Sequence, residues 1–298
     1  MKLPGTHWTK PVALAVGLLA ATAANADYVQ LTDDLTIHYK SAGEGDTTIL
    51  FVPGWGMSTE AFSKQLEHFE GSTEYTFLTY DPRGQGMSSK TEGGHFYQQH
   101  GRDLNALIKA LELNNIVLGG WSFGGNEALA YVNQFGTDAL SGFIMIDAAP
   151  KSTGADNTKE WIWYNHDDSD GFEAFFTMGP LLDRQGTIAG FVDWMLADKS
   201  PENMETFSQI ASQTSSTTLA LLNAAGAHDD FTADLSGMEG NVPLQYITRS
   251  IWDSAVQEWA AAHTPSAMIS TTMASHLGFW EDPEAFNAEL NKFLATLK

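Results

Sequence analysis

Residues 119–125 read GGWSFGG, directly after the apolar run NNIVL, so that one hydroxyl, Ser122, stands among four glycines. A serine hydroxyl barely ionises at neutral pH and becomes a nucleophile only when a base lies within hydrogen-bond reach. A very sharp strand-to-helix turn is the backbone that projects such a hydroxyl clear of its surroundings. It brings the residues two before and two after the serine against neighbouring chain, where any side chain collides, and Gly120 and Gly124 occupy those positions. The turn also aims the unpaired N–H groups of the following helix at the same point. The chemistry expected is attack on a carbonyl carbon and acyl transfer; the plain alternative is a glycine-rich turn with an incidental serine.

Such a turn requires a buried strand before it and a helix after it. NNIVLGGW reads as the strand and GGNEALAYVNQFG as the helix, with Gly136 as its stop. From Tyr28 to Ala149 strands alternate with helices: DLTIHYK, TTILFVPG, EYTFLTYD and LSGFIMIDA are strands, and Leu104, Leu107, Ile108 and Leu111 form the stripe of an amphipathic helix. This rhythm predicts a mainly parallel sheet covered by helices on both faces. Between residues 150 and 241 strand signals vanish and helical patches rich in aromatic residues take over, which predicts a helical insertion. The α/β rhythm resumes with VPLQYIT, DSAVQEWAAAH and SAMIST. A last helix follows from Pro283, with Asp282 as its N-cap.

Four stretches carry a resemblance to the α/β-hydrolase superfamily over nearly the whole chain after residue 26. FVPGWGMS resembles the loop that supplies an oxyanion donor, with Pro53 where histidine is common. YDPRGQGMSS is similar to the loop after the next strand, GGWSFGG to the nucleophile elbow, and SHLGFWEDPEAFNAELNKFL to the histidine loop and terminal helix of the esterase and haloperoxidase-like branches. The resemblance implies an α/β fold with a mainly parallel eight-stranded sheet, a core of residues 27–149 and 242–298, and a helical cap, or lid, at 150–241.

It also implies roles. Of nine histidines, His276 alone follows the last predicted strand and precedes the last helix, the loop that sits above the elbow in this fold, so it is expected as the base. The acid commonly follows the strand read as VPLQYIT, which points to Asp253, in the chain order Ser122, Asp253, His276. Asp147, at the end of FIMID, is the alternative. The backbone N–H groups of Phe123 and Trp55 are expected to form the oxyanion hole. Trp121, Trp161, Phe176 and Trp194 are candidate pocket walls, while Asp81 and Arg83 read as loop ties.

Other features bound the function. Residues 1–26 combine two lysines without acids, the apolar run PVALAVGLLAATA and the small-x-small ANA, which reads as a secretory signal cleaved after Ala26, with a periplasmic or secreted product and no stable membrane anchor. The formal charge of −22, or −24 without Lys2 and Lys10, should repel nucleic acid and anionic membranes. The absence of cysteine excludes thiol nucleophiles, thiolate metal sites and disulfides. HDDSD at 166–170 lacks the spacing of a calcium loop, and no dinucleotide or phosphate-loop signature is present, so no cofactor and no metal are expected. The expectation is a secreted serine hydrolase cleaving carboxylic esters through an acyl-enzyme. Lactonase, perhydrolase or haloperoxidase-like and aminopeptidase activities are alternatives on the same residues, and a non-catalytic ligand-binding protein is the alternative of another class. Oligomeric state is not legible.

Overall fold

The computed structural model describes residues 25–298. The signal-segment expectation falls on residues 1–24, outside the described residues, and on Asn25 and Ala26, which open the first strand, β1 (Asn25–Gln30).

β1 and β2 (Thr36–Ala42) form an antiparallel pair. β3 (Thr47–Val52), β4 (Tyr75–Tyr80), β5 (Ile116–Trp121) and β6 (Leu140–Ile146) then alternate with helices α1 (Ser63–Phe69), α2 (Tyr97–Ala110) and α3 (Gly124–Phe135). Two short strands, β7 (Lys151–Gly154) and β8 (Ile162–Asn165), pair in parallel as a separate two-stranded sheet. The main sheet resumes with β9 (Leu244–Arg249) and ends with β10 (Met268–Met273). Its order is β1-β2-β4-β3-β5-β6-β9-β10, parallel from β4 to β10. The expected eight-stranded, mainly parallel sheet is therefore present.

The strands of the sheet centre are apolar throughout because helices cover them. Ile49, Leu50, Phe51 and Val52 are fully buried, as are Val117, Leu118, Ile144 and Met145. Phe51 meets Phe77, Phe62 and Phe286 edge-on at 5.1, 5.5 and 6.4 Å between ring centres. Each such ring, fully removed from water, contributes about 1.5–3 kcal/mol. α2 packs along α3, and the C-terminal helix Pro283–Ala295 packs on α1, β9 and β10.

Between β6 and β9 the chain leaves the sheet. β7 and β8 depart from the all-helical reading of this stretch; four residues each, they are too short to show an alternation. Helices Arg184–Met195, Pro201–Ala211 and Ser216–Gly226 make up much of the rest. A single turn of π-helix, Ala174–Met178, carries Phe175 and Phe176.

Candidate functional site

Three consecutive strands of the sheet, β6, β9 and β10, lead at the carboxyl end to the members of one polar cluster, Asp147, Arg249 and His276, and the neighbouring β5 leads to Ser122. This is the edge where open parallel sheets bind ligands.

Ser122 follows β5 directly and has φ +55°. A non-glycine residue in that region costs on the order of 1–3 kcal/mol and persists only where its surroundings impose it. The imposition is visible. The Ser122 N–H donates to the Ile146 carbonyl at 3.0 Å, and the Gly125 N–H donates back to the Ser122 carbonyl at 2.8 Å. A Cβ at position 120 would stand 2.5 Å from the Gly124 carbonyl oxygen, and one at 124 would stand 2.3 Å from that of Val52. Glycine at both positions is thus a steric necessity of the turn, as the sequence implied.

His276 is completely buried, and its Nδ1 lies 2.5 Å from Oδ2 of Asp147. Its Nε2 is buried and has no hydrogen-bond partner among the described residues. The ring packs against three tryptophans, Trp194, Trp121 and Trp163, at 4.7, 5.1 and 5.8 Å. The indole N–H of Trp121, the residue before Ser122, donates to the His276 carbonyl at 3.0 Å and ties the histidine loop to the elbow. Asp147, also fully buried, sits at φ +38° and accepts the Arg249 Nε–H at 2.6 Å and the Arg249 backbone N–H at 2.9 Å.

Burial alone pushes the Asp147 carboxyl up, but the Arg249 charge and the bond from His276 outweigh it and leave it below its ordinary value. For His276 burial dominates in the other direction, disfavouring the imidazolium. Asp147 opposes that effect and Arg249 reinforces it, so the ring stays neutral below the ordinary 6.5.

Asp253 is not the partner of His276, which corrects the expected acid. The chain turns from β9 into a 3-10 turn, Ser250–Trp252, so that Asp253 opens the next helix, exposed, and accepts the Thr271 hydroxyl at 3.0 Å. Asp147, the alternative, occupies the place.

The loop after β3 lies against the serine: a Cβ on Gly54 would stand 2.9 Å from that of Ser122. Gln85 holds this loop by accepting the Gly56 N–H at 2.5 Å, and the Trp55 indole donates to the Leu219 carbonyl at 2.7 Å. Neither the Trp55 nor the Phe123 backbone N–H finds an acceptor among the described residues. Asp81 accepts the N–H groups of Thr59 and Met87, and Arg83 grips Asp103 with two bonds of 2.7 and 2.8 Å, so both brace loops beside the site.

Ser122 opens into a cavity of about 360 Å³. Trp55 and Phe123 wall it from the sheet side, and Trp163, Phe172, Phe175, Phe176, Phe191 and Trp194 from the excursion between β6 and β9. Asn223 is the polar side chain of the wall besides the serine; its amide donates to the Thr177 hydroxyl at 2.9 Å. Two expected wall residues lie elsewhere. Trp161 is buried between Tyr246 and Trp259, at 4.8 and 5.2 Å. Trp121 is fully buried against His276 and Phe279. Trp163, Phe172, Phe175, Phe191, Asn223 and Arg249 were not anticipated. The aromatic richness of residues 150–241 and an arginine ending an apolar strand are the signals for them that the sequence displayed.

Residues 47–283 match the family model described as alpha/beta hydrolase fold. A non-heme chloroperoxidase of Kitasatospora aureofaciens is 31% identical over 118 residues, 40% of this chain and 42% of that protein. The chain thus spans less than half the length of the curated relatives it matches first. Among solved structures, a bromoperoxidase from Bacillus anthracis superposes with a TM-score of 0.79 at 23% identity, over 91% of this chain and all of that one. An esterase from Exiguobacterium antarcticum superposes with a TM-score of 0.76 at 23% identity, over 90% and 98%.

Proposed function

The chain belongs to the alpha/beta hydrolase fold family, and from that premise we propose that it is a serine hydrolase of carboxylic esters that carry an aromatic or bulky apolar group. The observation that carries this reading is the strained Ser122, which opens into an aromatic-walled cavity beside a buried His276–Asp147 pair.

Ser122 Oγ attacks the ester carbonyl carbon while Nε2 of His276, held neutral by burial, takes the hydroxyl proton. Nδ1–H stays on the ring and donates to Asp147, which fixes the tautomer and offsets the imidazolium charge. The carbonyl oxygen becomes an oxyanion between the N–H groups of Trp55 and Phe123, whose donors need no rearrangement to receive it. His276 returns its proton to the departing alcohol, and the serine is left acylated. Water then gives a proton to His276 and attacks the acyl carbon, and His276 passes that proton to the departing Ser122 Oγ as the acid is released. The apolar walls favour flat or hydrocarbon groups through burial rather than charge. Residues 150–241 serve as the cap that supplies those walls, and residues 1–26 as the secretory signal that directs the protein to the periplasm or exterior.

The relatives named as chloroperoxidases favour a second reading, in which hydrogen peroxide replaces water in the last step and releases a peracid. A fluorophosphonate probe tests the core of both: it labels the native protein and not Ser122→Ala. Failure of folded native protein to label ends the reading. A panel of aryl and alkyl esters and lactones, each with and without peroxide, separates the activities. A folded protein that retains these compounds unchanged would instead be a binding protein.

A further inference from the structure

Arg249 takes no part in the steps above, yet it stands at the centre of the cluster. Its Nε–H and the Nδ1 of His276 converge on one oxygen, Oδ2 of Asp147, at 2.6 and 2.5 Å. Its own backbone N–H occupies Oδ1 at 2.9 Å. The guanidinium carbon lies 4.9 Å from the ring centre of Trp194 and 5.6 Å from that of Trp252. Trp194 in turn covers the His276 ring at 4.7 Å. One ring from the excursion between β6 and β9 therefore touches both partners of the buried carboxylate.

We propose that Arg249 is a positioning residue for the Asp147–His276 pair, and that Trp194 clamps it there. The proposal rests on the hydrolase reading for its catalytic consequence and on geometry for its placement. Desolvation pushes a carboxylate with no exposed atom toward the neutral acid, and the Arg249 charge and the His276 bond together oppose it here. Guanidinium is always charged, and here it donates its Nε–H to the carboxylate while its face stacks on an indole. Three donors on two oxygens leave the carboxylate one orientation, the one that directs Oδ2 at Nδ1.

The arrangement has a second effect. Arg249 shares the oxygen that would stabilise the imidazolium and places a like charge near it, so it helps to keep His276 a neutral base in acid. The charged groups acting on the ring are Asp147 and Arg249. Others nearby are engaged elsewhere: Glu281 accepts the Ser275 hydroxyl and the N–H groups of Ala197 and Asp198, and Asp253 accepts the Thr271 hydroxyl.

The test compares Arg249→Gln, which keeps a donor and removes the charge, with Arg249→Lys, which keeps the charge and loses the planar group that stacks on Trp194. kcat/KM is followed against pH for the best ester of the panel, and His276 protonation is followed separately by NMR of its ring. Arg249→Gln should move the acid limb and the NMR titration to higher pH and lower kcat roughly ten-fold with KM little changed. Arg249→Lys should leave the limb in place and lower kcat several-fold. If both curves of Arg249→Gln coincide with those of the native protein, or Arg249→Lys has native kcat, the proposal is overturned. Should Arg249→Gln fail to fold, the kcat of Arg249→Lys decides alone. A native protein that binds no fluorophosphonate defeats the hydrolase reading, and the NMR titration then judges Arg249 independently.

Discussion

Of the buried histidine–carboxylate pairs among the described residues, which include His38–Asp81 at 2.9 Å, two invite comparison. In one, His276 meets Asp147 at 2.5 Å; in the other, His100 of α2 meets Glu127 of α3 at 2.9 Å. Both histidines are buried, and in both the Nε2 atom has no hydrogen-bond partner among the described residues. Judged as pairs they are nearly equivalent. Their surroundings separate them. The second carboxylate also accepts the Tyr80 hydroxyl, and the Tyr97 ring closes on His100 at 5.9 Å, so the group bolts α2, α3 and the end of β4 together. The first pair is tied, through the Trp121 indole bonded to the His276 carbonyl, to the turn that presents a strained serine to a cavity. A histidine beside a carboxylate is therefore not yet a base at work; an adjacent nucleophile and room for a substrate make it one.

Four experiments break or sharpen this contrast. Ser122→Ala should cut kcat on a responsive ester by ~10⁶-fold with the melting temperature little changed, because the proposed mechanism makes the hydroxyl the attacking atom. Asp147→Asn should cost ~10⁴-fold in kcat through loss of the tautomer and charge that His276 needs. Asp253→Asn, assayed alongside, should stay within about two-fold, as expected for an exposed carboxylate held by one threonine. Equal losses in the two would return Asp253 to the site.

The third experiment concerns the other pair. Glu127→Ala strands two buried donors, the Tyr80 hydroxyl and the His100 ring, and should destabilise by ~3 kcal/mol in denaturant titrations while kcat per folded molecule holds. A large loss of kcat at full foldedness would show that this pair also serves the chemistry. The last and smallest effect is on pH. Because burial, Arg249 and Asp147 together leave His276 below its ordinary 6.5, the acid limb of kcat/KM should fall below pH 6.5. The sign for stability follows: a buried neutral histidine makes the unfolded chain the better proton acceptor, so its contribution is complete above 6.5 and is lost as pH drops through the lower folded value. An acid limb above 6.5 would contradict the burial argument.

Much of this site was legible because its constraints are local. Gly120, Ser122 and Gly124 form a turn whose steric rules extend over five residues, and His276 lies between a strand and a helix that both show their periods. The acid was less so. Asp147 and Arg249 end adjacent strands, where the Asp147 N–H donates to the Ile247 carbonyl. Each looks out of place at the end of an apolar run, and together they account for one another. Reading them as a pair requires knowing that β6 and β9 are neighbours, although about a hundred residues separate them. The cavity was hardest. Trp161 and Trp163 belong to one stretch, yet one fills the core and the other faces Ser122, and only the packing of the excursion against the sheet decides which.

The β5-β6-β9-β10 succession has a consequence for how such a molecule can change. Neighbouring strands are held about 4.8 Å apart by main-chain hydrogen bonds, whatever side chains they bear. The ladder works as a ruler, with Ser122, Asp147, Arg249 and His276 at successive marks along one edge. Substitutions in the aromatic walls can redraw which molecules reach the edge without moving the marks, so selectivity is open to revision by routes that leave the proton-transfer distances intact.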